Sequence, residues 1–329
     1  AERERDGELI GPALGPVTAG QIEADLARGK IYRLNDRFFK FLFGREERKP
    51  LFLDLVNALV FPDGSAGFTD FEYANRELSA ARVEGKDCYL DIVANMADGT
   101  QVEVEVQVRN WNDYLQRSAY YLSTLHASQM GLGGSYLDLK RTVSIHILAF
   151  SLFSGERFRR EFCLCDVESG EKLSDDLKLI YLEVPKCARY GTPRNRLEYW
   201  MMYLAGMEAR KMPEAMVKDP MIGEALNLEK LFLQSREERQ RYIVSYKAMR
   251  DAMTRDETIR RVARAEGEAR GEARGEARGL AKGLNEGEAK GIAATARRML
   301  GMSFTSEQIS QATGLSLGEV EALRREMDN

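Results

Sequence analysis

The chain is poor in the residues that carry much of metal and nucleophile chemistry. Its 329 residues include only two histidines, His126 and His146. Two imidazoles exclude a histidine-rich metal centre and argue against most triads that use one as base. Four cysteines are present, Cys88, Cys163, Cys165 and Cys187. Their spacing fits no Cys-x-x-Cys zinc pattern, and a reduced, cytoplasmic protein is expected. Cys163 and Cys165 alternate within an expected strand and read as buried thiols. His146 lies in an apolar run and reads as a core-edge residue rather than a ligand. No signal peptide is recognisable, and no apolar run is long enough to cross a bilayer, so no membrane partner is expected. An excess of positive charge is lacking too: 48 Lys and Arg stand against 52 Asp and Glu, a net charge of -4. Any nucleic-acid binding must come from local basic patches.

What the chain does have is an acidic hairpin within residues 86–121, KDCYLDIVANMADGTQVEVEVQVRNWNDYLQRSAYY. It reads as strand, turn, strand, helix. Over 102–108 the order is Val, Glu, Val, Glu, Val, Gln, Val. A side-chain period of two puts the four valines on one face and Glu103, Glu105 and Gln107 on the other. The valine face can enter a core. The loop Ala97-Asp98-Gly99 suits a three-residue hairpin ending in a left-handed glycine. That closure pairs Met96 with Thr100, Val93 with Glu103 and Asp91 with Glu105. A two-residue loop would set Asp91 against Val106, on the apolar face. Carboxylates with Cβ atoms about 5 Å apart repel unless a cation or a proton intervenes. Mg2+ is the simplest cation, since one or two carboxylates plus phosphate oxygens hold it. The other reading is an amphipathic hairpin with a solvated acidic face.

Around the hairpin, helices alternate with strands, as in an α/β domain. Asn35-Asp36 precedes an aromatic helix with Phe38, Phe39, Phe41 and Phe43 in the core and Gly44 as its stop. Asp36 is either the N-cap of that helix or an acid able to reach a metal site. A second helix is expected over 50–59. Lys86 either meets a phosphate or begins a strand at the surface. The helix expected over 114–129 carries Arg117, Tyr120 and Tyr121 on one face. Arg117 is a natural phosphate clamp through its rigid fork of donors, or a salt-bridge partner for a hairpin carboxylate. Further strands are expected over 142–150, 161–167 and 177–184, and a helix over 193–208. Arg157-Phe158-Arg159-Arg160 either follows a DNA backbone or forms a solvated edge.

Beyond residue 225 the pattern is helical and highly charged. Glycine then recurs every four residues, at 267, 271, 275, 279, 283, 287 and 291, within Glu-Ala-Arg repeats. Each costs a lone helix about 1 kcal/mol relative to alanine, and seven would melt an isolated helix of this length. The segment is therefore a flexible linker, or a helix whose glycine stripe packs on a partner; an oligomer-forming stalk is the favoured reading. The tail reads as helix, turn at Gly314, helix, with Ser306 and Ser316 as N-caps. It resembles a helix-turn-helix. Glu319 and Glu321 suit DNA badly at that place, so a packing or dimerisation module stands beside it.

Asp91, then Glu105-Val106-Gln107, resembles the Asp…Glu-x-Lys signature of the PD-(D/E)XK nuclease superfamily, with Gln107 where many members have lysine. In order with Asn35-Asp36-Arg37-Phe38-Phe39-Lys40, Arg117-Ser-Ala-Tyr120-Tyr121 and Tyr181-Leu-Glu-Val-Pro185-Lys186, it is similar to the Rpn (recombination-promoting nuclease) and putative transposase family. The resemblance implies a restriction-endonuclease-like α/β core, a mixed sheet flanked by helices, with a helical C-terminal extension. The domain division expected is a partly disordered lead-in over 1–30, a nuclease-like domain over 31–215, a helical extension over 216–265, the glycine-spaced repeat over 266–291 and a helical tail over 292–329.

The resemblance also implies Mg2+- or Mn2+-dependent endonucleolytic cleavage of DNA, linked to recombination, mobile elements or phage defence. Carried over by position, Asp91 and Glu105 would hold the metal and Gln107 would orient a water. Asp36, Lys86, Arg117 and Tyr121 form a second tier, and the C-terminal helices would make a homo-oligomer. A non-catalytic DNA-binding or assembly protein that keeps the nuclease fold is the alternative.

Overall fold

The computed structural model describes residues 17–74, 91–111, 113–131, 133–189 and 191–328. Lys86, Cys88, the first half of the lead-in and most of the strand expected upstream of Asp91 lie outside the described residues. Helix α1 (Ala19–Ala27) starts on a capping box between Thr18 and Gln21. Helix α2 (Asp36–Phe43) is capped by Asn35, whose side chain accepts from the N–H groups of Arg37 and Phe38. Asp36 is thus not the cap: Asn35 satisfies the orphan donors, and Asp36 begins the helix with its carboxylate outside. Helix α3 (Lys49–Val60) buries Leu51, Phe52, Leu55, Val56 and Leu59.

Among the described residues six strands follow, β1 (Phe71–Tyr73), β2 (Ile92–Met96), β3 (Gln101–Gln107), β4 (Thr142–Leu148), β5 (Arg159–Cys163) and β6 (Leu177–Glu183). They form one sheet in the order β1-β2-β3-β4-β6-β5. The β3–β4 and β4–β6 pairs are parallel and the other three are antiparallel. Helix α4 (Tyr114–Ala127) makes the crossover from β3 to β4. This is the mixed, helix-flanked sheet expected.

One face of the sheet carries Val102 and Val104 from β3, Val143, Ile145 and Ile147 from β4, and Ile180 and Leu182 from β6. It packs with Phe38, Phe39, Phe43 and the residues of α3 in the main core. The same core takes Trp200 from α6 (Arg196–Leu204), which follows the single turn α5 (Val184–Cys187). The helix expected over 193–208 is shorter because Asn195 caps its start and Gly206, at φ 88°, turns the chain after its end. Beyond the short α7 (Glu214–Val217), Ile222, Ala225 and Phe232 of α8 (Pro220–Gln234) join this core. So do Tyr242 and Ile243, early in α9 (Arg236–Gly301).

Strand β5 begins two residues earlier than expected, so Arg159 and Arg160 lie within it. It is an edge strand with β6 as its one neighbour. Cys163 is accordingly half-buried and Cys165 exposed, which corrects the reading of both as buried thiols.

A second compact unit begins at Arg255. Residues 266–291 are helical, within α9. Ala296 of α9, Ile309 of α10 (Ser306–Thr313) and Val320 of α11 (Leu317–Asp328) form a small core. The cap of α10 is Thr305, in a capping box with Gln308, and not Ser306. Ser306 instead donates its hydroxyl to Glu321 at 2.7 Å. Ser316 caps α11 as expected, bonded reciprocally with Glu319. Gly314 ends α10 in the left-handed conformation at φ 76°.

Candidate active site

The hairpin closes on Ala97-Asp98-Gly99. The Met96 N–H donates to the Thr100 carbonyl at 2.7 Å, and Gly99 takes φ 87°. The register runs Val93 opposite Glu103 and Ile92 opposite Val104. One step further it sets Asp91 opposite Glu105, and Asp91 Oδ2 accepts from the Val106 N–H at 3.0 Å. Asp91 and Glu105 therefore converge on the face away from the valines.

That face is not solvated. Helix α4 covers it with Tyr114, Ser118, Leu122 and Leu125, and Glu103 and Glu105 are buried. The strand register aligns Glu105, His146, Tyr181 and Arg160 across β3, β4, β6 and β5. In the adjacent row Glu103 lies beside Ser144. Thr142, Ser144 and His146 alternate along β4, so their period of two delivers all three to the acidic face.

These groups form a chain of hydrogen bonds. Ser144 donates its hydroxyl to Glu103 Oε2 at 2.7 Å. Its one proton is then committed, so the 3.0 Å contact with His146 Nε2 makes that nitrogen the donor. Nδ1 is left as the acceptor for the Tyr114 hydroxyl at 2.9 Å. Burial, with Arg117 adding to it, pulls the His146 pKa down to about 3, which keeps the ring neutral. Its Nδ1 lies 3.7 Å from Glu105 Oε2, too far and without a proton to give. Glu105 Oε2 is consequently buried with no hydrogen-bond partner, and so is Glu103 Oε1.

Unpaired buried carboxylate oxygens are costly. Burial first, then the neighbouring Asp91, raises the Glu105 pKa to about 7 despite Arg117. Burial and Glu105 raise Glu103 to about 8. Burial also raises Asp91, against the pull of Lys40 and the Val106 N–H. Lys40 beside Asp91 and Arg117 beside Glu105 do not outweigh that burial.

The second tier is partly assembled. Arg117 Nη2 lies 3.5 Å from Glu105 Oε1, and its guanidinium sits 5.3 Å from the Tyr121 ring centroid. Both readings of Arg117 are compatible with this geometry, because one fork can touch a carboxylate and still offer donors outward. Gln107 gives its amide N–H to the Arg109 carbonyl at 2.8 Å. Asp36 reaches the site through Lys40, whose Nζ lies 2.5 Å from Asp36 and 3.1 Å from Asp91.

Lys40, Glu103, Ser144, His146 and Tyr114 are absent from the residues singled out as a site in the sequence. The Asp36–Lys40 spacing of four on one helix is a signal for Lys40, the polar alternation of β4 for Ser144 and His146, and that of β3 for Glu103; Tyr114 carries none.

The donor set suits a hard divalent cation. Two carboxylates meet, and one contributes a buried oxygen that no hydrogen bond satisfies. Among the described residues no group of three or more His, Cys, Asp or Glu side chains could hold a metal ion. Two carboxylates, with water and substrate phosphate supplying the remaining oxygens, is the pattern for Mg2+. Among the described residues no helix is long and apolar enough to cross a membrane. The family model for PD-(D/E)XK nuclease family transposases matches residues 33–257. No curated protein and no solved structure matches the chain.

Proposed function

The chain belongs to the PD-(D/E)XK nuclease family of transposases, and we propose that it is a Mg2+-dependent DNA endonuclease. Membership supports a nuclease-like or transposase-like function. The finer reading rests on one observation: Asp91, the residue before β2, is held by the Val106 N–H beside Glu105 of β3, whose Oε2 is buried without a hydrogen-bond partner. Asp91 and Glu105 would hold the ion. When bound, a divalent ion supplies Lewis acidity, lowering the pKa of a water and neutralising charge on the phosphate.

The chain's own residues do the rest. Arg117, half-exposed at the edge of α4, offers donors to a phosphate oxygen. Gln107 carries no charge and can only orient a water, through its amide carbonyl as acceptor. Tyr121 holds the Arg117 guanidinium against its ring. The Tyr114–His146–Ser144–Glu103 chain fixes the floor of the site, keeping a neutral imidazole beside Glu105. The test is incubation of the purified chain with supercoiled plasmid, with Mg2+ and with EDTA. Mg2+-dependent nicking that disappears in Asp91→Ala is expected; nicking that survives in both Asp91→Ala and Glu105→Ala overturns the assignment.

The C-terminal helices are assigned to self-association. The seven repeat glycines lie on α9, and a Cβ built on any of them meets nothing within 4 Å. Ile259, Val262, Leu280 and Leu284 of the same helix are exposed. A helix carrying this glycine load is better supported by a second helix than by water. Analytical ultracentrifugation of the full chain is expected to show an oligomer. A chain truncated after residue 254 is expected to sediment as a monomer, and a monomeric full chain would rule the assignment out.

A further inference from the structure

Among the described residues, the cation nearest Asp91 does not come from the strand. Position 107, where a lysine is common in the superfamily signature, is glutamine, and its amide nitrogen is engaged with Arg109. The positive charge arrives from α2 instead. Lys40 Nζ sits between two carboxylates, 3.1 Å from Asp91 Oδ1 and 2.5 Å from Asp36 Oδ1. Asp36 and Lys40 are one helical turn apart, with the acid N-terminal, the favourable orientation. The rest of α2 fixes this placement. Phe38, Phe39, Phe41, Leu42 and Phe43 are all buried, which leaves Asp36, Arg37 and Lys40 at the margin.

The two acids differ in what they offer the ammonium. Asp91 is mostly buried, with 21% of its side chain exposed, and its other oxygen is tied to the Val106 N–H. Asp36 is 57% exposed and can keep a lysine in water at little cost. Burial alone would lower the Lys40 pKa; Asp91 and Asp36 outweigh it and hold the ammonium above the ordinary lysine value. Asp91 Oδ1, the oxygen not tied to the Val106 N–H, is the one left to a divalent ion that Asp91 and Glu105 would hold. An ammonium and a hard dication are therefore rivals for one atom.

We propose that Lys40 is the resident counterion of Asp91, and that Asp36 is the acceptor that retains its ammonium when a divalent cation takes Asp91. The inference rests on the reading of Asp91 as a metal ligand. Entry of the cation is then an exchange: one contact of the ammonium is given up, the other is kept, and no charged group is left unpaired. It also explains why an exposed acid sits one turn before the lysine, a place no packing requires.

The test is calorimetric titration of the full-length chain with MnCl2 and with MgCl2, without DNA. Lys40→Met keeps the apolar stem and removes the rival, and is expected to tighten the cation about threefold to tenfold, the scale of one partly screened ion pair. Asp36→Asn removes the acceptor and is expected to weaken the cation about threefold on the same scale. In the Lys40→Met background, Asp36→Asn is expected to change affinity much less, because there is no ammonium to retain. Circular dichroism and melting temperature check that each variant is folded. Unchanged or weaker binding in a folded Lys40→Met overturns the proposal. So does an equal loss for Asp36→Asn in both backgrounds, since that is simple charge counting. If neither the parent nor Lys40→Met takes up a cation, the metal reading of Asp91 has failed, and this inference with it. Binding that Asp91→Asn abolishes but Lys40→Met leaves alone separates the second failure from the first.

Discussion

Glu105→Gln is expected to abolish Mg2+-dependent plasmid cleavage and, in the same molecule, to stabilise the metal-free protein at pH 8. The two effects share one cause. Glu105 is buried under α4 with one oxygen unsatisfied, and its pKa stands near 7. At pH 8 it is ionised in the folded protein, at a cost that the unfolded chain does not bear. Glutamine has the same shape and no charge, so that cost vanishes. The gain is on the order of 3 kcal/mol, with the attraction of Arg117 already inside that shift.

The loss of function comes from the missing anionic ligand. Neutralising charge on a phosphoryl oxygen is worth several kcal/mol, so a fall on the order of 10^3-fold in cleavage is expected. The readouts are gel conversion of supercoiled plasmid and thermal melts in EDTA. At pH 4.5 the melting difference between Glu105→Gln and parent should close, because the parent carboxyl is then protonated too. Cleavage within tenfold of parent would remove Glu105 from the machinery.

Much of this site was legible in the chain because it depends on a period and a turn. Alternation over 102–108 fixed which residues share a face, and Gly99 fixed the loop length. Together they set Asp91 opposite Glu105. What alternation cannot say is what covers a polar face. A row of glutamates reads as solvated, and here α4 lies over it. That burial changes the chemistry, turning ordinary acids into ones that titrate near neutrality.

His146, in its apolar run, reads as a core-edge residue rather than a ligand, and it is buried; its hydrogen-bond partners are what the run does not give. Those partners, Tyr114 and Ser144, come from a crossover helix and from its own strand. Their convergence is a property of sheet order, and the parallel pairing of β3 with β4 is not written in either strand. Lys40 is not legible beside Asp91 because α2 and β2 are far apart in sequence and meet only through the fold. The caps show the limit at finer grain. Asn35 and Thr305 displaced Asp36 and Ser306 by one residue, since adjacent polar residues satisfy the same signal.

The largest effect on stability is expected from Glu103, which is wholly buried and holds one hydrogen bond, from Ser144. Its pKa is raised from 4.5 to about 8, chiefly by burial and then by Glu105. A carboxyl raised on folding makes the native state the better proton binder. Its stabilising contribution is complete below pH 4.5 and is lost as pH rises through 8. Glu105 acts in the same sense, with its loss ending near pH 7. His146 acts in the opposite sense. Its pKa falls from 6.5 to about 3 on folding, so the unfolded chain takes up a proton there below pH 6.5 and offsets one of the two carboxyls in that range.

Metal-free protein should therefore lose stability from pH 5 to pH 8.5, by roughly 5 kcal/mol at most. Carboxylates with lowered pKa values, such as Glu161 and Glu238, titrate below this window and do not blur it. Glu103→Gln should flatten the profile and raise stability at pH 8.5 by on the order of 3 kcal/mol. Combined with Glu105→Gln the gains should fall short of additive, because the Glu105 carboxylate is one of the causes that raise Glu103. Chemical denaturation in EDTA at pH 5, 7 and 8.5 measures all three variants. A parent profile that rises through this range, or a Glu103→Gln protein less stable than parent at pH 8.5, would mean that an uncounted cation or proton already neutralises the acidic face.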